Sequence, residues 1–418
     1  SAYTCTYTTV GEIMAWIIGW DLILEMLMAG SVISKYWGVY LNDFMRLMGW
    51  NANTNLTFGS FHIDIAPIII VAFFATLLVF GTKIGARVDG AMTVLKIAIV
   101  FFVVIVGFFY VKASNFTPFI PPSQPASTVE GSSAVTGVMT QPLWQFATGM
   151  TPSVYGVPGI LSGAALVFFA FIGFDVVATA SEETKNPHKN VPLGIGVGML
   201  LIIVMYMLVA VVTTGMVSYA DLAKQDSPSL ATAFELVGAD WAAKIISFGI
   251  VLGLATVVMV LLLGLTRIVF AMSRDGLLPR GLSKTGKHGT PAALQIVVGA
   301  VVALVAAFFD IGVLSDMVNI GTLSAFTLVA ISIPIMRKKR PDLPRAFKMP
   351  GSPWIPILIA VANFWLMLNL SVLTWIRFVV WLVVGFAIYF GYGYWHARLG
   401  KGDLTETLSA ETDKAVNG

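Results

Sequence analysis

The 418-residue sequence contains very little charge and only one cysteine. Charged residues make up 11% of the chain, hydrophobic residues make up 57%, and the mean hydropathy is +0.85. A soluble domain usually carries about 25% charged residues, so this composition argues against a soluble protein. The lone Cys5 excludes an intrachain disulfide and a cysteine-based metal site. The 4 histidines are far apart in the sequence, so we expect no metal and no cofactor.

The sequence also lacks a convincing enzyme motif. The segment 281–287 has the glycine and lysine spacing of a phosphate-binding loop, but His288 stands where a Ser or Thr would hold magnesium. An apolar helix, not a strand, is predicted to precede it. We therefore expect neither an enzyme nor a nucleic-acid partner. The chain begins SAYTCTYTTVGE, without an initiator Met or a signal-peptide pattern, which predicts that further sequence precedes it.

Long apolar stretches recur along most of the chain. A helix needs roughly 20 apolar residues to cross a hydrocarbon core about 30 Å thick, and 10 stretches meet this requirement. The sequence therefore predicts an all-α polytopic membrane protein in contact with a lipid bilayer. The predicted spans are residues 10–40, 63–82, 88–111, 158–181, 192–217, 241–271, 292–309, 318–336, 354–373 and 377–395.

The basic residues are distributed unequally between alternate loops. One set of loops holds 18 of the 25 Lys and Arg residues, the other set holds 6, and Lys96 lies within a predicted span. Loops rich in Lys and Arg remain on the cytoplasmic side of a membrane. This distribution predicts that both chain ends are cytoplasmic.

The segment 168–192, FFAFIGFDVVATASEETKNPHKNVP, combines an apolar helix with polar features inside a predicted span. A carboxylate such as Asp175 costs several kcal/mol in hydrocarbon and is a functional-site candidate by default. The neighbouring Gly173 lowers the cost of breaking the helix, which frees backbone groups to hold a ligand. We therefore interpret this segment as the substrate-binding break of a transporter.

Other polar residues also lie within predicted spans. Asp21 and Glu25 are four residues apart and share one helix face, which should point into the protein or an aqueous cavity. A structural role is favoured for Asp21, whereas a structural and a substrate-proximal role are equally open for Glu25. Thr256 is a possible pocket residue, although a hydroxyl in a helix more often bonds its own backbone.

Lys96 lies nine residues after Arg87, at the predicted cytoplasmic edge, and therefore roughly 13 Å deep in the membrane. A buried amine can gain and lose a proton near physiological pH. Lys96 could couple transport to protons, or act as a fixed cation in place of a sodium ion. The alternative is a permanent pairing, for example with Asp175 or Glu25.

Several motifs resemble those of a known transporter family. GFD is followed by EETKNPHKNVP, and then by MSRDGLLP, NIGTL and RKKRPDLPR, in an order that spans nearly the whole chain. The sequence resembles the amino acid–polyamine–organocation superfamily, in particular bacterial members of its cationic amino acid transporter branch. The resemblance implies the leucine-transporter-like fold, with two inverted five-helix repeats and two further helices. It also implies amino acid uptake, typically coupled to protons.

On this resemblance the first span corresponds to family helix 3, so family helices 1 and 2 would precede Ser1. The chain is then expected to contain family helices 3 to 12. The implied divisions are the remainder of the first repeat (1–111), an extracytoplasmic loop (112–157), the second repeat (158–336), a basic cytoplasmic loop (337–353), two accessory helices (354–398) and a disordered cytoplasmic tail (399–418).

The resemblance also implies a substrate-binding wall in the segment 168–192. Phe169 resembles the aromatic residue that caps the bound substrate, and Ile172 matches the unwound residue whose carbonyl receives the substrate ammonium. Gly173 belongs to the same break, and Asp175 matches the acid just beyond it.

Two further positions take their implied roles from the family. Lys96 resembles the lysine that replaces a sodium ion and links protons to substrate binding, and Glu25 occupies an acidic position of this branch. The implied function is proton-coupled uptake of L-amino acids by alternating access in the bacterial cytoplasmic membrane, and both cationic and neutral substrates fit. The alternatives are a sodium-coupled transporter and a non-transporting membrane sensor or scaffold.

Overall fold

The structure is a computed structural model made almost entirely of helices. The described residues contain six helices that are long and apolar enough to cross a membrane and four shorter apolar helices, which correspond to the ten predicted spans. The predicted all-α polytopic fold is confirmed. The described residues are 12–50, 54–58, 61–80, 85–128, 137–173, 186–225, 228–286, 290–339, 349 and 351–397.

Thirteen α-helices are named here in chain order, together with two short strand pairs. The helices are α1 (Glu12–Leu47), α2 (Ile65–Phe80), α3 (Gly85–Phe108), α4 (Leu143–Thr148), α5 (Gly156–Val167), α6 (Pro187–Met216), α7 (Tyr219–Ala223), α8 (Leu230–Leu236), α9 (Asp240–Arg274), α10 (Ala292–Phe308), α11 (Ile311–Lys339), α12 (Trp354–Leu368) and α13 (Val372–Ile388). The antiparallel strand pairs are β1 (Asn55–Phe58) with β2 (Phe61–Asp64), and β3 (Gln124–Pro125) with β4 (Ser153–Val154).

Several helix ends differ from the predicted ends. α1 continues to Leu47, and α11 begins at Ile311, because their polar ends extend beyond the apolar stretch that the prediction used. α6 begins at Pro187, and not at residue 192 as predicted. Proline fits the first turn of a helix because the N–H that it lacks would have no partner there.

The loop between α3 and α5, which the resemblance predicts to be extracytoplasmic, is held in place in its described part by hydrogen bonds. The Leu143 N–H donates to the Leu370 carbonyl at 3.0 Å. The Trp144 indole N–H donates to Asn369 Oδ1, also at 3.0 Å. These contacts fix α4 against the connection between α12 and α13.

α1 is the central helix of the bundle. It is 36 residues long and packs most extensively against α9 and α11. In its most apolar window 78% of residues are buried inside the protein, compared with 11% for α3 and 6% for α6. α1 is therefore surrounded by protein, whereas α3 and α6 are peripheral and expose most of their apolar residues.

Aromatic stacking joins α1 to α13. The rings of Trp16 and Trp20 stack at 5.6 Å, and Trp20 stacks on Trp381 of α13 at 4.5 Å. The Trp20 indole N–H donates to the Trp381 carbonyl at 2.9 Å. Beyond α13, the Tyr389 hydroxyl donates to Glu12 Oε1 at 2.9 Å. The start of α1 and the end of α13 therefore lie at the same end of the bundle.

The close contact between α13 and Trp20 predicts a site that tolerates no added volume. A Cβ built at Gly385 would overlap the Trp20 ring, whereas one at Gly391 would have no heavy atom within 4 Å. We expect Gly385→Ala to lower the free energy of unfolding by about 1–3 kcal/mol, since overpacking a filled site displaces its neighbours. Denaturant unfolding of the purified protein, followed by tryptophan fluorescence, measures this. Gly391→Ala is the matched control, and equal stability of the two variants would contradict the packing.

Candidate functional site

Helix α5 ends where the sequence predicts a break. α5 ends at Val167, and a 3₁₀ turn follows from Phe168 to Phe171. Ile172 is then extended, with φ −69° and ψ 141°, and Gly173 has φ +116°. Residues with a side chain rarely adopt this φ, which explains glycine at this position. Asp175, the predicted acid of the site, lies outside the described residues.

The residues of the break pack against several different helices. Phe169 and Ile172 both pack against the main hydrophobic core, to which α1 and α9 contribute. The Phe168 ring lies edge-on to Phe326 of α11 at 6.1 Å, and the Phe171 ring lies edge-on to Tyr206 of α6 at 5.2 Å.

Two side chains from other helices bond backbone carbonyls beside the break. The Tyr206 hydroxyl donates to the Ala170 carbonyl at 2.6 Å. The Asn319 side-chain NH₂ of α11 donates to the Leu166 carbonyl at 3.2 Å. A backbone group without a partner costs several kcal/mol in a bilayer, so these bonds stabilise the end of the helix there. The Leu166 carbonyl also accepts from the Phe168 backbone N–H.

A cavity of about 240 Å³ lies between the break and α6. Glycines on α6 leave this space open, because no side chain fills it from that helix at Gly194 and Gly198. No charged side chain is among the described residues that line it, and the Tyr206 hydroxyl already bonds a backbone carbonyl. The cavity therefore suits an apolar group of modest size.

Lys96 lies across the surface of α9. A Cβ built at Gly253 would lie 3.2 Å from Lys96 Cγ and 3.5 Å from Lys96 Cε, so the side chain passes directly over this glycine. Thr256 is buried on the same turn, and its hydroxyl donates to the Gly253 carbonyl at 3.0 Å. The structure thus brings Lys96 and Thr256 to one place on α9. The backbone bond of Thr256 is the arrangement expected for a structural hydroxyl.

The two acids of α1 are completely buried. Asp21 and Glu25 each have 0% relative exposure, so the shared face points into the protein. Asp21 Oδ2 accepts a 2.9 Å hydrogen bond from the Ser324 hydroxyl of α11. This bond gives Asp21 the structural contact that the sequence favours, and it ties α1 to α11.

Sequence reasoning missed three residues of this region. Asn319 and Tyr206 bond the carbonyls beside the break, and Gly253 receives Lys96. A polar side chain inside a predicted span is itself a signal, and Asn319 could have been found by it. Nothing in the sequence pairs Gly253 with Lys96.

Comparison with known proteins connects this geometry to transport. Residues 1–393 match the family model described as amino acid permease. The chain is 41% identical to the branched-chain amino acid permease BcaP of Bacillus subtilis and 36% identical to the methylthioribose transporter of the same organism. Each alignment covers 96% of this chain and 81% of the relative. It is 35% identical to the mitochondrial cationic amino acid transporter 3 of Arabidopsis thaliana, over 81% of this chain and 51% of that protein.

These relatives are transporters, which agrees with the prediction that the chain is not an enzyme. The family match confirms the resemblance that the sequence motifs indicate. The 3₁₀ turn and extended backbone after α5, and the ten apolar helices of the described residues, are consistent with it. The chain belongs to the amino acid permease family, within the amino acid–polyamine–organocation superfamily of multi-pass membrane transporters.

Proposed function

We propose that the protein is a secondary active permease that takes up L-amino acids together with protons by alternating access. The observation that carries the proposal is the break at Ile172 and Gly173, where backbone leaves the helix beside a cavity. Interrupted helices supply backbone donors and acceptors for polar substrate groups near the middle of a membrane. An amino acid needs such groups for its ammonium and carboxylate.

In this proposal the Ile172 carbonyl accepts a hydrogen bond from the substrate ammonium, and Phe169 covers the bound molecule. Gly173 keeps the backbone in a conformation that a residue with a side chain would disturb. Asp175 remains the proposed acid beyond the break. Glu25 and Thr256, both buried, are the proposed further pocket residues. Like Phe169, they do not line the cavity beside α6, so in this proposal they approach the substrate from the side of α1 and α9.

Proton coupling is assigned to Lys96. Its side chain lies on a peripheral helix but crosses Gly253 of α9, which packs on the central helix α1. Gain or loss of a proton on Lys96 changes the charge at this contact and biases one state of the transporter over another. The two competing hypotheses are a sodium-coupled transporter and a non-transporting membrane sensor or scaffold.

The apolar cavity favours a substrate with a neutral side chain. Its described lining carries no charge that would pair with a cationic side chain. The relative at 41% identity is named for branched-chain amino acids, which have side chains of this kind. We propose that leucine, isoleucine and valine are preferred over arginine and lysine.

We also propose that the protein lies in the bacterial cytoplasmic membrane with both ends of this chain in the cytoplasm. The proposal rests on the loops that hold 18 of the 25 Lys and Arg residues. The Tyr389 bond to Glu12 is consistent with both ends on one side, because it joins the start of α1 to the segment just after α13.

Uptake into proteoliposomes tests the function. We expect labelled leucine to accumulate when an inward proton gradient is imposed, and not when only an inward sodium gradient is imposed. Unlabelled isoleucine and valine should compete, whereas arginine and methylthioribose should not. Accumulation driven by the sodium gradient would show that sodium, not the proton, is the coupling ion. Competition by methylthioribose alone would show that the substrate is not an amino acid. Absence of any uptake would favour a non-transporting sensor.

Replacing the proposed coupling residue should separate coupling from binding. We expect Lys96→Ala to abolish proton-driven accumulation of leucine, because the titrating group is gone, while leucine exchange across the membrane continues. The control is Lys112→Ala, which removes an exposed lysine beyond the end of α3. Accumulation by Lys96→Ala at the unaltered rate would refute the coupling role.

Glycine substitutions test whether the break binds the substrate. Gly173 and Gly163 both have open space around a built Cβ, but only Gly173 has positive φ. An L side chain in such a conformation costs about 1–3 kcal/mol, so Gly173→Ala should shift the backbone and raise the apparent KM for leucine about tenfold. Gly163→Ala should leave it within about twofold, since no backbone strain arises there. If Gly173→Ala and Gly163→Ala have equal KM values for leucine, the break is not part of the substrate site.

A further inference from the structure

We propose that Asn319 is a positioning residue of the amino-acid site, which fixes where the helix breaks by holding the Leu166 carbonyl. The inference rests on the proposed function and extends it to a residue outside the substrate-binding segment. It is drawn from the hydrogen bonds and burial of α11 in its contact with α5.

The hydrogen bond of Asn319 has only one possible orientation. A carbonyl oxygen accepts but does not donate, so the NH₂ of the side chain must face Leu166, 3.2 Å away. The side chain has 0% relative exposure, and its Oδ1 has no hydrogen-bond partner in the described parts of the chain. The contact of the side-chain amide with the break is therefore its one hydrogen bond there.

A buried side-chain amide lowers the stability of the fold if it serves only to fill space. Burying a polar group lowers stability unless its hydrogen bonds are made, and an apolar side chain of similar size has no such requirement. Asn319 keeps one amide atom buried without a partner among the described residues. A positional role at Leu166 accounts for this cost, whereas simple filling of the core does not.

The position of the bond suits this role. Leu166 is in the last turn of α5, directly before the chain narrows to the 3₁₀ turn that begins at Phe168. Phe168 itself contacts Phe326, seven residues after Asn319 on α11. α11 therefore contacts the chain both in the last turn of α5 and at the start of the 3₁₀ turn.

The same helix is also fixed to α1. Ser324, five residues after Asn319, donates to the buried Asp21. A Cβ built at Gly321, between them, would lie 3.1 Å from Leu24 Cδ2, so α11 and α1 are in close contact there. α11 thus places Phe169 and Ile172 relative to the central helix that carries Glu25.

The test compares two isosteric substitutions on α11. Asn319→Leu removes the bond to the break. Thr322→Val is the matched control, because Thr322 is equally buried and its hydroxyl donates to the Val318 carbonyl of its own helix at 2.9 Å. Both variants of the full chain are purified and reconstituted, and the apparent KM and maximal rate of leucine uptake are measured together with the thermal unfolding midpoint without substrate.

We expect Asn319→Leu to raise the apparent KM about tenfold without lowering the unfolding midpoint, and Thr322→Val to keep the KM within about twofold. Asn319→Asp, which keeps the shape but loses the donor in its ionised form, should resemble Asn319→Leu. Asn319→Gln, which keeps the amide, should recover part of the affinity.

An unchanged KM in Asn319→Leu, or an equal change in Thr322→Val, would overturn the positioning role. Loss of folded protein in both Asn319→Leu and Asn319→Asp would assign the residue to stability and also overturn it. Failure of the unaltered protein to take up any amino acid would refute the proposed function itself. Normal uptake by the unaltered protein with an unchanged KM in the variants would refute only the role of Asn319.

Discussion

A helix can stop inside a bilayer only where protein or a ligand satisfies the freed backbone groups, and this constraint governs the region around Gly173. The chain meets it with partners from separate helices. Tyr206 of α6 bonds the Ala170 carbonyl, and Asn319 of α11 bonds the Leu166 carbonyl. Contacts of α5 and the 3₁₀ turn after it with these two helices therefore stabilise the backbone at the break.

The central helix α1 provides the fixed reference for that packing. Its tryptophan stack joins it to α13, and Asp21 joins it to α11 through Ser324. α3 and α6 differ, with only 11% and 6% of their most apolar windows buried. Lys96 is thus carried on a peripheral helix that packs against α9 at Gly253.

Part of the fold and of the candidate site could be predicted from local sequence features. Ten spans follow from apolar length, the break follows from glycine inside a span, and the inward face of Asp21 and Glu25 follows from helical spacing. The extension of α1 to Leu47 and the β1–β2 pair lie in polar segments, where hydropathy carries no signal. The contact of Asn319 with Leu166 joins residues 153 positions apart, so only the folded chain reveals it. The domain boundaries remain predictions.

The central claim is that the break at Ile172 and Gly173 forms one wall of an amino-acid site. An experimental structure of the protein with bound L-leucine tests it most directly. The account predicts that the leucine ammonium lies within hydrogen-bond distance of the Ile172 carbonyl, with the side chain of Phe169 over the ligand. Leucine bound away from this segment, or a helix that continues unbroken through Gly173, would contradict the account.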